Sequence, residues 1–223
     1  MLVFDMNETT LNLAPVREAL DLVAGEAGGF TVWFQKLLQL SMTVTATDME
    51  FIGFGTLARD ALVAVLDAEG SAESGDEWSE VAAAFGRLEP YPDVISGLER
   101  LRDAGHSTMA LTNSDQASVE SQCASAGLTQ LFDHIVSVGS VSAYKPAAAP
   151  YLHAAEVAGV DAGEMWMVAC HDWDLAGARA VGFRTAFISR PGLTYAPTYP
   201  AADLFVADFG ELADQLTLPL GAS

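Results

Sequence analysis

The chain has 223 residues, of which 51% are hydrophobic and 18% are charged, a composition typical of a folded globular protein. Its length predicts one large domain or a core domain with an insert. A formal net charge of −20 argues against binding to nucleic acids and to anionic membranes. We expect neither a membrane span nor a signal peptide, because no apolar run reaches roughly 18 residues and no basic stretch follows Met1. Two cysteines are too few for a disulfide framework and indicate a reduced, cytoplasmic protein.

The first predicted element is a buried strand over residues 2–4, a short apolar run that ends at Asp5. A helical block follows, with apolar residues at helical spacing over about residues 15–27, 30–45, 55–66 and 76–85. The polar, Gly- and Ser-rich residues 70–77 predict a loop inside this block.

The pattern changes at residues 89–92, where two prolines mark a domain seam. Beyond the seam, predicted helices over about residues 93–104, 114–126, 146–158 and 175–181 alternate with predicted strands over residues 106–111, 134–138, 165–169 and 183–188. Such alternation predicts a doubly wound α/β fold with a parallel sheet. We therefore expect a core domain at residues 1–13 and 89–223 and a helical cap at residues 14–88. No G-x-G-x-x-G follows a strand, so a dinucleotide site is not expected.

Four polar groups of residues follow predicted strands, at residues 5–9, 112–114, 144–146 and 171–174. Ligands bind at the carboxyl ends of the strands in such sheets, so we expect these groups to converge. Asp5 at a strand end can act as a nucleophile, although alone it would more simply be a helix cap. Lys145, one of two lysines in the chain, could lower the pKa of Asp5 and hold an anionic intermediate.

The remaining polar residues have a structural interpretation beside the functional one. Thr112, Asn113 and Ser114 could cradle an anion, cap the next helix, or do both. Asp174 could pair with Lys145 or position a water molecule, and His171 is a weaker candidate for a general base. Trp173 is more often a packing residue than a ligand contact. The histidines and cysteines lack the spacing of a zinc site.

The order Asp5, Thr112-Asn113-Ser114, Lys145-Pro146, Asp174 resembles the haloacid dehalogenase superfamily over nearly the whole chain. Within it, the sequence is most similar to the type II 2-haloacid dehalogenases. The superfamily's phosphatases carry an acidic general acid where this chain has Asn7, and a magnesium ligand where it has Cys170. The segment from His171 to Arg179, with its Trp-Asp pair, also resembles the dehalogenases.

The resemblance implies a metal-independent hydrolysis of short 2-haloalkanoic acids, with no cofactor. Asp5 would displace the halide and form an ester, and Thr9 and Lys145 would orient Asp5. Asp174 would position or activate the water that cleaves the ester, with His171 as a second candidate. The expected substrate or halide contacts are polar or apolar side chains around Asp5: Asn7, Phe34, Phe54, Thr112, Asn113, Ser114 with its N–H, and Trp173. The resemblance also implies a homodimer.

Three positions depart from the family pattern. Phe34 stands where the family carries a cap arginine that assists halide departure, Ala169 where it often has serine, and His171 where asparagine is common. These departures leave the halogen, the chain length and the enantiomer open. A phosphatase with an altered site and a non-catalytic binding protein are the alternatives, and a requirement for Mg²⁺ or the effect of Asp5→Asn would distinguish them.

Overall fold

The structure, a computed structural model, describes residues 1–24, 28–68 and 76–217. Strand β1, Leu2–Phe4, is followed by the two-residue strand β2, Leu11–Asn12. Four helices then precede strand β3, Glu89–Pro90: they are α1 (Ala14–Ala24), α2 (Gly29–Ala46), α3 (Phe54–Ala68) and α4 (Asp76–Phe85). β2 and β3 pair antiparallel, with Leu11 opposite Pro90, so this ribbon joins the two ends of the helical segment.

Beyond β3, strands and helices alternate as predicted. The strands are β4 (Thr108–Thr112), β5 (His134–Ser137), β6 (Trp166–Ala169), β7 (Arg184–Ile188) and β8 (Leu204–Val206). The helices are α5 (Val94–Asp103), α6 (Gln116–Ser125), α7 (Ala148–Ala158), α8 (Asp172–Ala180) and α9 (Phe209–Thr217).

The central sheet has the strand order β5-β4-β1-β6-β7-β8, and all its pairs are parallel. Leu2 and Phe4 of β1 pack into one apolar cluster and Val3 into another, because successive side chains of a strand point to opposite faces. Both faces of the sheet are therefore buried, and the predicted doubly wound α/β fold is confirmed.

The position of β1 determines where a ligand can bind. From β1 the chain first builds β4 and β5 on one side, and then crosses to β6, β7 and β8 on the other. The carboxyl ends of β4, β1 and β6 flank the point where the winding reverses, which is where open α/β sheets bind ligands.

The helical segment is held together by a periodic apolar face. Phe30, Trp33, Leu37 and Val44 of α2 are buried at helical spacing, and the Trp33 indole Nε1–H donates to the Ala58 carbonyl at 2.8 Å. The four helices occupy the segment assigned to the cap, and the division into core and cap stays a prediction. No helix in the three described stretches of the chain is both long enough and apolar enough to cross a membrane.

Several predicted boundaries are wrong by a few residues. Helix α8 begins at Asp172 rather than at residue 175, because acidic side chains occupy its first turn and interrupt the apolar pattern. Helix α6 begins at Gln116, two residues after its predicted start at residue 114, because the preceding polar residues form local hydrogen bonds. Strand β4 begins at Thr108, and β8 and α9 were not predicted. Of the predicted loop 70–77, the last two residues belong to α4 and the rest lie outside the described residues, as do residues 25–27 of the first predicted helix.

Candidate active site

Asp5 lies at the carboxyl end of β1 and is held by fixed donors on both oxygens. Its backbone N–H donates to the Val168 carbonyl of the neighbouring β6 at 3.1 Å. Its Oδ2 accepts from the Thr9 hydroxyl at 2.7 Å, and its Oδ1 accepts from Lys145 Nζ at 3.0 Å. The side chain is nearly buried, so its orientation is set by these two contacts rather than by solvent.

The loop after β1 places Thr9 beside Asp5. The Thr10 hydroxyl donates to the Asp5 carbonyl at 2.6 Å, and the N–H groups of Thr10 and Leu11 both donate to the Met6 carbonyl. The Thr9 hydroxyl in turn accepts from the Cys170 N–H at 3.0 Å. The first strand-end group is thus locked onto the end of β6, as the convergence of strand ends requires.

Lys145 is the centre of a buried charge cluster. Its Nζ donates to Asp5 Oδ1 and, at 2.7 Å, to Asp174 Oδ2, and it is 1% exposed. Burial by itself lowers the pKa of Lys145, but the two carboxylates beside it raise the pKa above its ordinary value. Lys145 therefore stays charged between two acids, which is the pairing that the sequence predicted.

Asp174 is fully buried and has a donor on each oxygen. The Tyr151 hydroxyl donates to Asp174 Oδ1 at 2.6 Å and also lies 3.0 Å from the Asp174 carbonyl. Burial raises the pKa of Asp174, and the Lys145 ammonium opposes that rise. With both oxygens occupied, Asp174 anchors Lys145 in the direction of Asp5.

The group after β4 supports the site through local hydrogen bonds. Asn113 Oδ1 accepts from the Lys145 backbone N–H at 3.1 Å, which ties the two strand ends together. The Ser114 N–H, which we expect to help hold the substrate carboxylate or the halide, donates to the Thr112 hydroxyl at 3.1 Å. Asn7 Nδ2 donates weakly to Ser114 Oγ at 3.4 Å, while the buried Asn7 Oδ1 has no hydrogen-bond partner among the described residues.

A cleft of about 610 Å³ lies beside this cluster, between the helical segment and the loops after β6 and β7. Its lining includes Phe34 of α2 and, on the core side, Cys170, His171 and Trp173. The His171 ring stacks on Trp173 at 5.4 Å between ring centres, and Phe34 lies 5.8 Å from it on a tilted plane. The sulfur of Cys170 lies 3.2 Å from the Thr9 hydroxyl oxygen, so the cleft borders the donors that hold Asp5.

Phe54 does not join these aromatic residues. Its ring packs on Tyr144 at 5.8 Å, and it lines a second cleft of about 410 Å³ together with Ser114 and helix α6. The predicted apolar residues therefore lie in two clefts rather than in one pocket, because α2 and α3 cover different strand ends.

Sequence reasoning missed three residues of the site. Tyr151 lies within the predicted helix 146–158 and was given no role, although a buried tyrosine usually has a hydrogen-bond partner, which is the signal that could have identified it. Glu8 was part of the first strand-end group but was given no role, and its carboxylate proves to be buried beside Arg17 and His171. No local pattern marked Arg17, which is brought to the cleft by the packing of α1.

Comparisons with known proteins show the family to which the chain belongs. The family model of haloacid dehalogenase-like hydrolases matches residues 1–182. (S)-2-haloacid dehalogenase 1 of Pseudomonas sp. (strain CBS-3) is 30% identical over 190 residues, which cover 84% of this chain and 83% of that protein. The structure of L-2-haloacid dehalogenase from Xanthobacter autotrophicus superposes with a TM-score of 0.89 at 26% identity, covering 98% of both chains.

A second structure of the Xanthobacter enzyme contains covalently bound chloropropionic acid. It superposes with a TM-score of 0.88 at 25% identity, over 98% of each chain. The matched residues 1–182 extend from the strand that carries Asp5 to the end of α8, and so include every site residue described above. The chain belongs to the haloacid dehalogenase-like hydrolase family.

Proposed function

We propose that this hydrolase releases halide from short 2-haloalkanoic acids without a metal, through an ester formed on Asp5. The observation that carries the proposal is the arrangement around Asp5: a buried carboxylate at a strand end, with one oxygen held by Thr9 and the other by Lys145. The relatives reported above are named as dehalogenases of this substrate class.

In the first step, a carboxylate oxygen of Asp5 attacks C2 of the substrate in line with the carbon–halogen bond. A carbon–oxygen bond forms, and the halide leaves with the electron pair of the broken bond. This step needs no proton donor, since halide is a stable anion, which fits the amide of Asn7 near Asp5. Lys145 and Thr9 orient the attacking carboxylate.

In the second step, water attacks the carbonyl carbon of the Asp5 ester. The bond from that carbon to the ester oxygen breaks, the 2-hydroxy acid leaves with that former Asp5 oxygen, and one oxygen of the regenerated carboxylate comes from water. The overall products are 2-hydroxy acid, halide and one proton. Lys145 stabilises the negative charge that develops at the ester carbonyl.

The proton of the attacking water has two candidate acceptors, Asp174 and His171. Asp174 already accepts from Lys145 and Tyr151, whereas His171 Nε2 is buried without a hydrogen-bond partner among the described residues. A single-turnover comparison of Asp174→Asn and His171→Gln decides between them. The acceptor is the residue whose loss leaves the first halide release intact but makes the Asp5 ester accumulate in the mass spectrum.

The remaining predicted contacts lie at the strand ends beside Asp5 and in the two clefts. Asn113 and Ser114 would hold the substrate carboxylate or the halide near Lys145, with Asn7 and Thr112 beside them. Phe34 and Trp173 would supply apolar walls of the cleft beside Asp5, Phe54 would supply a wall of the second cleft, and the helical segment at residues 14–88 would act as the cap. Phe34 provides no charge for the departing halide, so we expect the halogen preference to depend on this position.

The direct test is halide release measured by ion chromatography without added metal. The substrates are chloroacetate, fluoroacetate and both enantiomers of 2-chloropropionate, and Asp5→Asn is the matched control. Halide from the wild type but not from the variant, with ¹⁸O from labelled water entering Asp5, would support the proposal. No halide from any substrate, or turnover only of phosphate esters with Mg²⁺, would overturn it.

Two further proposals concern the whole protein. We propose a homodimer and a cytoplasmic location, on the family resemblance and on the low cysteine content. Light scattering after size-exclusion chromatography tests the first, and cell fractionation tests the second.

A further inference from the structure

Arg17 of helix α1 lines the cleft beside Asp5, and the mechanism proposed above gives it no role. Its side chain is 45% exposed, and its Nη2 donates to Glu8 Oε1 at 3.4 Å. Its guanidinium also lies 4.0 Å from the centre of the Phe30 ring. These two contacts hold the guanidinium against the cleft wall, while its remaining N–H groups can still reach a ligand.

Glu8 forms a bridge between Arg17 and the core side of the cleft. While its Oε1 accepts from Arg17, its Oε2 lies 3.6 Å from His171 Nε2, too far for a hydrogen bond. That nitrogen is buried and has no hydrogen-bond partner among the described residues. Glu8 also has a φ of 62°, in the left-handed region that costs a residue other than glycine energy. A buried carboxylate in a strained conformation is thus placed between two basic groups.

The charges around the cleft leave Arg17 as its available cation. Among the described residues that line the cleft, Arg17 is the only arginine or lysine. The other lining carboxylate, Asp172, accepts from the N–H groups of Trp173 and Ala196, both at 2.8 Å. Lys145 is enclosed by two carboxylates. An anion that enters the cleft, against a formal chain charge of −20, therefore meets one exposed guanidinium.

We propose that Arg17 binds the carboxylate of the substrate in this cleft, and that Glu8 weakens this binding by competing for the same guanidinium. The inference rests on the proposed function, because it names the group that recognises the substrate of that reaction. Of the two roles proposed for Asn113 and Ser114, it leaves them the halide and assigns the substrate carboxylate to Arg17. A guanidinium offers paired N–H donors that match a carboxylate, so a substrate carboxylate can replace the single long contact that Glu8 makes. Arg17 is then a specificity-determining residue, and Glu8 is a positioning residue that acts through it.

The proposal requires substitutions at the two residues to act in opposite directions. Arg17→Gln removes the cation and raises KM for chloroacetate about tenfold, the size expected for one hydrogen bond to a charged group, with a smaller change in kcat. Glu8→Gln leaves the guanidinium without a competing charge and lowers KM. If Glu8 and Arg17 only joined the helical segment to the core, both substitutions would impair the enzyme in the same direction.

A double-mutant cycle tests whether Glu8 acts through Arg17. In an Arg17→Gln background, Glu8→Gln should no longer lower KM. Arg17→Lys, which keeps the charge, should restore part of the affinity. Arg87→Gln is the matched control, since this exposed arginine lies in the same helical segment but lines a different groove, and its KM should equal that of the wild type. An equal rise in KM for Arg87→Gln would overturn the assignment.

A binding measurement keeps this inference separate from the proposed function. Acetate, which carries a carboxylate and no halogen, is titrated into each protein by calorimetry, and chloride is titrated in parallel. Thermal unfolding first establishes that each variant is folded. We expect Arg17→Gln to weaken acetate binding about tenfold, Glu8→Gln to strengthen it, and neither to change chloride binding. This result can be obtained even if no halide is released in the activity assay, which would overturn the function alone. Unchanged acetate binding in Arg17→Gln, or a loss of chloride binding instead, would overturn the inference.

Discussion

Lys145 is the residue whose replacement tests the buried charge cluster most directly. Its Nζ lies 3.0 Å from Asp5 Oδ1 and 2.7 Å from Asp174 Oδ2, and the side chain is almost completely buried. Lys145→Met keeps the unbranched stem of the side chain, shorter by one atom, but leaves two buried carboxylates without their cation. Removing one partner of a buried ion pair costs about 3–5 kcal/mol, so we expect a loss of unfolding free energy of that size at pH 8. In a domain of this length, the melting temperature should fall by roughly 6–20 °C.

The loss should depend on pH in a defined direction. In the wild type, the raised pKa of Lys145 means that its stabilisation is fully present below its unfolded pKa of 10.5 and is lost only as the pH rises through the higher folded value. In the variant, burial and the neighbouring Asp5 carboxylate raise the pKa of Asp174 with no ammonium to oppose them, so the penalty is largest where Asp174 is ionised and is relieved as the pH falls. The difference between wild type and variant should therefore be smaller at pH 5 than at pH 8.

The assay is urea denaturation of both proteins at pH 5 and pH 8. The other lysine of the chain supplies the matched control. Lys36 is on the helical segment and donates to Gln39 at 3.2 Å in an exposed contact, so Lys36→Met should change the unfolding free energy by less than about 0.5 kcal/mol. A Lys145→Met variant as stable as Lys36→Met at pH 8, or equally destabilised at both pH values, would refute the reasoning.

Three further predictions concern buried groups of the core. Tyr151→Phe removes a hydrogen-bond donor from the fully buried carboxylate of Asp174. We therefore expect urea denaturation to show a loss of about 1.5–3 kcal/mol in unfolding free energy, and halide release to be slower. An unchanged unfolding free energy would contradict this prediction. Gly177→Ala would place a Cβ 2.6 Å from Pro146 Cβ and 2.7 Å from the Tyr151 hydroxyl oxygen. Thermal unfolding should therefore show a loss of about 1–3 kcal/mol in unfolding free energy. An unchanged unfolding free energy would mean that α8 can move away from these atoms. Burial raises the pKa of Cys123 to about 11 and that of Cys170 well above its ordinary value. Neither thiol should therefore react with a disulfide reagent at pH 8 until the chain is unfolded. Rapid labelling of the native protein would disprove this prediction.

The order of the elements could be predicted because the patterns that encode them are local. A three-residue apolar run marks β1, and apolar residues at helical spacing mark α2, whatever lies elsewhere in the chain. The boundaries were less accurate where polar residues have a second role. The acidic first turn of α8 and the hydrogen-bonded residues before α6 both interrupted the apolar periodicity.

The meeting of Asp5, Lys145 and Asp174 could also be predicted, since the carboxyl ends of parallel strands converge at one edge of a sheet whatever loops connect them. What only the tertiary structure decided was which atoms pair there. Tyr151 reaches Asp174 from the face of a separate helix, and the Ser114 N–H is occupied by its own loop. Arg17 meets Glu8 only because α1, which packs on α2 and α4, lies beside the loop after β1. Such partners depend on side-chain directions and distances between elements, and a one-dimensional pattern of apolar and polar residues carries no information about either.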